Sequence, residues 1–496
     1  MTVNDFAHGY SPPGVYIEEI LSPVVGTTGL PPTLVALVGP SIGYQTGSEQ
    51  FLLTDDPAWR LAKKGVLISS IAVQVISSGV VLTTSDYSTA TTASPSSTSD
   101  YWTDVTRNTG GALADDAQVF ITYRYTDPDF FVPKRFDNYE DVKDAYGEPL
   151  NLTSPTLGQT GYEPVSSPLS LAAKIAFENG AGDLVLCAAT PPGAGVTTSS
   201  GISTARRNAL VAAYAKIATN YDVNVVVPLT DDIIQADAGG TGTELAAHVN
   251  GSAADGFYRV GILGFDPGVG SAPDTLLSSG GFRSKRLVLA FASATGMSFF
   301  SGGAGQLLSL GHQYLAAALA GRLAALPVQK SLTKEVLRSF SGVAGTALST
   351  TTKNAYAAAG VCVVETDRLG QVAVRHGLTT DITILTTREL SVVRARDALV
   401  TMFETGFTNS GMIGQPIDTN TALTVKSVAS GLLEHAALTG AIVSYTGLAV
   451  RQRSIDPTVI EIKFSYLPAY PLNYIVVSFS INVATGVTEE LTGATA

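Results

Sequence analysis

The chain has 496 residues, of which 45% are apolar and 15% charged, with a formal net charge of −12. A pI of about 4.9 and a mean hydropathy of +0.23 argue against nucleic acid as a partner, since that requires a basic surface. So few charges on so long a chain mean either a very large core or much surface hidden against partners; the second reading is favoured, because the longest apolar region, Leu307–Val328, is broken by His312, Gln313, Gly321 and Arg322 and is too interrupted to span a bilayer.

No basic region followed by an apolar one opens the chain, so no secretory signal is expected. Cys187 and Cys362 lie in apolar, strand-like runs. They read as buried free thiols made in a reducing cytoplasm, rather than as a disulfide, for which nothing argues.

In chain order, Ser11–Glu19 reads as an extended arm. Pro12 and Pro13 bias their predecessors away from helix, and from Val15 the side chains alternate, Val15 and Ile17 against Tyr16 and Glu18. Pro23, Gly26, Gly29, Pro31 and Pro32 then separate this short strand from the body. A strand on a tether has unpaired main-chain groups and must find a sheet, its own or a neighbour's. Leu34–Val38 is a continuous apolar run, the signature of a buried parallel strand. Gly39, Gly43 and Gly47 imitate a phosphate loop, but no Gly-Lys-Ser/Thr follows.

Between residues 48 and 130 the composition changes. Val66–Leu82 is β-branched and serine-rich, Ser85–Ser99 is almost all Ser, Thr and Ala, and Val119–Tyr125 alternates strictly. This predicts an inserted, projecting all-β module with a long polar loop over Ser85–Ser99. Helical spacing then covers Phe136–Gly147. Ser170–Asn179 follows as a helix capped by Ser170, with a glycine turn and the buried strand Asp183–Ala189 behind it. Helices at Arg206–Thr219 and Glu244–Val249 alternate with strands at Asn224–Pro228, Arg259–Leu263 and Arg286–Phe291. That alternation implies an α/β body with parallel strands.

Leu310–Leu326 predicts an Ala/Leu helix closed by Pro327, and Gly360–Thr366 with Val372–Val374 a hairpin. Thr387–Phe407 and Thr424–Leu438 predict two further helices, and Ile455–Leu467 an edge strand. Tyr474–Val483 has the cleanest alternation in the chain: Ile475, Val477, Phe479 and Ile481 against Val476, Ser478 and Ser480.

The search for chemistry returns no catalytic constellation. There is no Gly-x-Ser-x-Gly elbow, and the five histidines never fall at metal-ligand spacing. His376 reads as a structural or surface histidine. Asp231-Asp232 follows a strand, where active-site carboxylates often sit, but carboxylates in a solvated loop are the commoner reading. The expectation is a protein that is not an enzyme and that binds no cofactor or metal.

An ordered set of stretches resembles the contractile tail sheath proteins of myophages and related phage-tail-like injection systems. These stretches are Ser11–Glu19, Thr33–Pro40, Phe136–Gly147, Ser170–Ala189, Ala359–Asp381 and Ile455–Val483. Arg375-His-Gly-Leu-Thr-Thr380 stands where the family has a Trp-Gly-Arg-Thr type of sequence, and residues 48–130 are not covered. The resemblance implies a mixed α/β, multidomain sheath-type core. It consists of an arm at 1–30, a first core strand at 31–47, the inserted module at 48–130, a central α/β domain at 131–354 and a C-terminal core domain at 355–496.

It further implies a helical homopolymer of stacked hexameric rings around an inner tail tube protein, with baseplate and tail terminator proteins as further partners. Contraction of that polymer would drive the tube through a target cell envelope. The subunit would reside in a virion tail or a contractile injection particle assembled in the host bacterial cytoplasm, with no nucleic-acid contact and no direct membrane insertion. Val15, Tyr16, Ile17 and Glu18 would pair with one neighbour, and Ile475, Val477, Phe479 and Ile481 with another. A basic helix face around Arg388, Arg394 and Arg396 is expected to touch the tube, with a solvated helix face or intramolecular ion pairs as the competing reading. Two other classes stand beside this one: a static tube, capsid or surface-layer subunit, and an α/β hydrolase-like enzyme supported only by the Asp231-Asp232 loop.

Overall fold

The computed structural model describes residues 33–41, 45–53, 58–63, 66–93, 101–108, 117–125, 128–150, 167–190, 199–219, 223–230, 241–265, 272–279, 283–292, 296–301, 306–481 and 488–490. Strand β1 (Val35–Pro40) is apolar and buried over its first five residues. The chain then leaves the body for six strands: β2 (Gln45–Leu53), β3 (Trp59–Arg60), β4 (Val66–Val75), β5 (Tyr87–Ala93), β6 (Tyr101–Arg107) and β7 (Ala117–Tyr125). They form two antiparallel three-stranded sheets, ordered β2-β7-β4 and β3-β6-β5. Alternate residues of β7, Val119, Ile121 and Tyr123, turn inwards and join Phe51, Val73 and Val105 in a core of their own. The Ser/Thr-rich stretch differs from the expected loop: Tyr87–Ala93 is an edge strand paired along its length with β6. Threonine is a good strand former when one face stays wet, and composition alone concealed that.

The body returns with β8 (Lys134–Phe136) and α1 (Tyr139–Tyr146). Asn138 caps α1 by accepting from the Asp141 N–H at 2.9 Å, and Gly147, at φ +83°, ends it. Helix α2 (Pro168–Glu178) is capped by Ser167 instead of Ser170: Pro168, which has no N–H to donate, takes the first helical position. There follow β9 (Leu184–Ala189), α3 (Ser199–Ile217), β10 (Val225–Pro228), α4 (Thr241–Ala254), β11 (Val260–Gly264), α5 (Pro273–Ser279) and β12 (Leu287–Phe291). A small sheet of β13 (Gly296–Ser301), β14 (Gln306–Leu310) and β15 (Phe340–Ala344) flanks α6 (His312–Ala325). Then come α7 (Thr350–Ala359), β16 (Val361–Thr366) and β17 (Val372–Val374).

One eight-stranded sheet, ordered β17-β16-β12-β11-β10-β1-β9-β8, organises these elements. Its six inner strands are parallel and its two edge strands antiparallel. Because the inner strands are apolar apart from Glu365 and Thr366 at the end of β16, successive residues feed opposite cores. Leu37, Leu186 and Val227 pack beneath α2 and α6, while Ala36, Val185 and Val226 pack beneath α3 and α4. Each fully buried Val or Leu contributes roughly 1.5–3 kcal/mol. The hairpin β16–β17 extends this same sheet, so the sheet crosses the division expected between residues 354 and 355. Cys187 and Cys362 are free, buried and on opposite faces of the sheet.

Beyond the sheet lie α8 (Leu385–Arg388), α9 (Leu390–Asn409) and α10 (Thr421–Leu438), then β18 (Ile442–Gln452) and β19 (Ile460–Pro468). Among the described residues, short β20 (Phe479–Ile481) and β21 (Thr488–Glu490) pair only with each other. No described helix is long and apolar enough to cross a membrane.

Two positions test this packing. A Cβ on Gly321 of α6 would overlap the Ala176 carbonyl of α2. Gly321→Ala is therefore expected to lower protomer stability by about 1–3 kcal/mol in urea unfolding. His248, stacked on Tyr214 and 3.2 Å from Arg259 Nη1, is pushed down to about 4 by burial and by the Arg259 charge. The folded chain resists a proton that the unfolded histidine accepts, so stability is full above pH 6.5 and falls as pH drops towards 4. His248→Gln does not titrate and is expected to lose less stability between neutral pH and pH 4, by up to about 3 kcal/mol, in the same assay at both pH values.

Candidate assembly surface

After β19 the chain runs from 469 to 478 without regular secondary structure. Asn473 is held against the body: the Thr333 hydroxyl donates to its Oδ1 at 3.4 Å, and its Nδ2 donates to Glu389 Oε1 at 3.2 Å. Beyond it, Ile475, Val476 and Val477 are 77%, 87% and 76% exposed. Three consecutive branched apolar residues in water, in an extended-type sequence, amount to a strand without a sheet. The ten-residue strand expected over Tyr474–Val483 is accordingly reduced to Phe479–Ile481, because alternation yields a strand only where a partner edge exists. Of the four residues named on this arm, Ile475 and Val477 are free of the body, and Phe479 and Ile481 lie in β20.

The N-terminal set Val15, Tyr16, Ile17 and Glu18 lies outside the described residues, as do Asp231 and Asp232. The chain enters the fold at Thr33, whose hydroxyl accepts from Arg394 Nη2 at 2.7 Å. Next to it, the Leu34 N–H donates to Asn224 Oδ1 at 2.9 Å.

The three arginines do not share a face. Two residues apart on a helix, Arg394 and Arg396 point about 200° apart. Arg394 is buried, and its Nη2 also reaches the Leu323 and Leu326 carbonyls at the C-terminal end of α6. Burial holds its pKa below the usual guanidinium value. A side chain enclosed in this way cannot touch a tube, so the expected basic face does not form. Arg396 lies 3.3 Å from Asp397 and Arg388 3.1 Å from Glu389. Arg388 and Arg396 thus pair within the protomer, while Arg394 is held by a hydroxyl and two carbonyls and makes no ion pair among the described residues.

Sequence reasoning missed β18, although Ile442–Val450 is rich in strand formers. Strands β18 and β19 form a two-stranded antiparallel sheet whose apolar face, including Leu448, Val450, Ile462 and Phe464, packs on α9 and α10. Phe464 stacks on Phe403 at 5.3 Å. On the other face Arg451 pairs with Glu461 at 2.9 Å. Among the described residues no third strand adds to either edge. One subunit thus carries both an unpaired strand and an unfilled sheet. Among the same residues no cluster of histidine, cysteine and carboxylate side chains could hold a metal.

No protein-family model matches the sequence. Among curated proteins, the tail sheath protein of Mycobacterium phage Bxz1 is 30% identical over 447 residues, spanning 88% of this chain and 72% of that one.

The chain belongs to the tail sheath protein family.

The fold agrees. The contracted helical sheath of the anti-feeding prophage superposes with a TM-score of 0.54 at 14% identity, over 96% of this chain and 100% of that one. The contracted sheath complex of the PVC extracellular contractile injection system gives 0.50 at 12% identity, over 96% and 99%. The mixed α/β, several-sheet architecture of this chain is therefore that of a sheath subunit, and its relatives are structural proteins. With its backbone exposed, the segment from Leu472 to Ser478 should be the first point cut by chymotrypsin in the free protomer, at Tyr474, before any bond of the central sheet opens. Mass spectrometry of a limited digest reads the site; first cleavage inside α9 or β18 would contradict the assignment.

Proposed function

We propose that the chain is a non-catalytic sheath subunit that polymerises as stacked hexameric rings around an inner tail tube, between a baseplate and a terminator, and that contraction of this polymer drives the tube through a target envelope. The reading places it in the tail of a virion or of an injection particle assembled in the host bacterial cytoplasm. It treats residues 45–125 as a projecting module, and α9, α10, β18 and β19 as the unit that receives neighbours.

The observation that carries this reading is the mismatch among the described residues of one protomer: an exposed apolar segment, Ile475–Val477, outside any sheet, and a two-stranded sheet to which no third strand adds. Strand addition to the β18–β19 sheet of the next subunit satisfies both, through main-chain hydrogen bonds that make little demand on side-chain identity. The N-terminal strand Val15–Glu18 serves the other edge of the same sheet. A head-to-tail contact of this kind does not close on two copies, so it propagates as rings and helices. The contracted sheaths named above share the fold, which supports a subunit that survives large rigid-body displacement.

Cutting the chain before Tyr474, or removing residues 1–20, is expected to leave protomers with unchanged urea unfolding that no longer form sheath. Electron microscopy and sedimentation read the result, and full-length sheath from either truncation would sink the proposal.

A further inference from the structure

The two edges of the central sheet carry opposite charge. At one edge lies the β16–β17 hairpin, with residues 334–337 running beside it. Glu335 pairs there with Arg322 and, at 2.7 Å, with Lys330. Glu365 has Lys353 at 3.0 Å, Arg375 at 3.1 Å and Lys334 at 3.8 Å. Two carboxylates thus answer five cations. The hairpin turn adds Asp367, whose Oδ1 accepts from the Leu369 and Gln371 N–H groups at 2.8 Å each. It also adds Arg368, which is exposed and makes no ion pair among the described residues. Six cations against three carboxylates leave a surplus of three positive charges, in a chain whose net charge is −12. Lys330 and Lys334 are exposed, and Leu369 at the tip of the turn is 82% exposed.

At the opposite edge lie β8 and α1. The Tyr146 ring of α1 packs edge-on against Phe136 of β8, with 5.8 Å between centroids, and Val142 is buried alongside. At about 100° per residue, Glu140, Asp141 and Asp144 share one arc of the helix, opposite those two anchors. All three are exposed, as are Asp137 and Glu148 beyond the helix ends. Lys143 pairs with Glu140 and lies 3.9 Å from Glu148; among the described residues Asp137, Asp141 and Asp144 make no ion pair. With Lys134, Arg135 and Asp183 of the same edge included, six carboxylates face three cations, a surplus of three negative charges. The helix gains nothing from this cluster. Glu140 and Asp144, four residues apart, repel each other, and Asp144 lies in the last turn, where the dipole disfavours a carboxylate.

We infer that the α1 edge of one subunit docks against the β16–β17 edge of a second copy of this chain. The inference rests on the reading of the chain as a homopolymer subunit and names one contact within that polymer. Seven inter-strand steps of about 4.8 Å hold the two edges about 33 Å apart in one protomer. That is several times the screening length of about 8 Å at physiological ionic strength, so neither surplus neutralises the other within the chain. A copy placed head to tail brings them together. A two-fold contact would set like charge against like, so the pairing is heterologous and propagates. It is also a contact of side chains, separate from strand addition, because residues 334–337 already cover β17. The Lys334 N–H donates to the Val374 carbonyl at 2.7 Å and the Leu337 N–H to that of Val372 at 2.8 Å. Exposed ion pairs add little affinity; they decide which edges meet and speed the encounter, and Leu369 gives the patch an apolar centre.

The test uses the full-length chain and reads the critical concentration for sheath formation by sedimentation and electron microscopy. Asp144→Lys/Glu148→Lys reverses the acidic edge with lysines that suit a helix C-terminus. Arg368→Asp/Lys334→Asp reverses the basic edge, and aspartate tolerates the left-handed φ of +63° at position 334. Each pair should leave the protomer's urea midpoint unchanged and raise the critical concentration about tenfold or more. All four changes in one chain should restore assembly, because the reversed edges match again. Either pair assembling as the unsubstituted chain does would overturn the inference. So would a combined variant no better than the weaker pair, since α1 would then serve a different partner.

The unsubstituted chain supplies a check that needs no variant. Raising NaCl from about 50 to about 500 mM should raise its critical concentration, and an unmoved value counts against the contact. An unsubstituted chain that forms no sheath overturns the homopolymer reading and this contact with it. Normal sheath beside unrescued reversals overturns the contact alone.

Discussion

The body depends on one strand being paired along both its edges. Strand β1 sits between β9 and β10, so that Val35 faces Leu184 on one side and Val225 on the other. Thr33, the first described residue, therefore meets the body at the middle of the sheet and not at its rim. Arg394 fixes that point, joining Thr33 to the carbonyl end of α6, where a cation is favoured by the helix dipole. The chain must also leave again after Pro40, because the next position in the sheet is already taken. Residues 45–125 consequently fold on their own two sheets with their own core, and the chain rejoins the body at the edge strand β8.

A second set of contacts fastens the C-terminal helices to that sheet. Arg286, at the start of β12, makes two parallel hydrogen bonds of 2.5 and 2.8 Å to Asp397 of α9, and its guanidinium lies over the Tyr258 ring. Both partners are almost fully enclosed. Removing Asp397 leaves the Arg286 guanidinium buried without its carboxylate, a loss of about 3–5 kcal/mol, whereas Asp397 without Arg286 still has Arg396 at 3.3 Å. With Arg394 on the adjacent turn, α9 is riveted to the sheet at its first half and carries the β18–β19 sheet on its second. On the reading proposed above, the edge that would receive neighbours and the root of the arm that would reach for them are joined through α9.

The inner strands were legible from sequence because an apolar run of four to six residues between turn signals, such as Leu184–Ala189 or Val225–Pro228, has one physical use inside an α/β layer. Helix α1 was legible through its periodicity and the glycine that stops it. What escaped depended on partners. Tyr87–Ala93 becomes a strand only because β6 lies beside it. The Glu389 carboxylate draws on His376, Arg388 and Asn473, and no local pattern joins Asn473 to a residue 84 positions away. Arg394 looked like a surface cation because helical spacing places it beside polar neighbours, whereas the exit of Thr33 supplies the acceptor that draws it inward. In the opposite direction, the alternation over Tyr474–Val483 promised more order than one protomer can hold.

That excess of promise has a physical meaning. Each main-chain hydrogen bond nets roughly 0.5–1.5 kcal/mol, and each branched apolar side chain buried adds roughly 1.5–3 kcal/mol. A donated strand of a few residues therefore gains an amount comparable to the 4–15 kcal/mol that association costs. A single link is weak enough to leave protomers free in dilute solution, and the polymer becomes firm only when each subunit donates and receives at once, since the second link forms at high effective concentration. An arm that folded into its own body would compete with that exchange. On the proposed reading, exposure of Ile475–Val477, a liability in one protomer, is the condition under which links form between subunits and not within them.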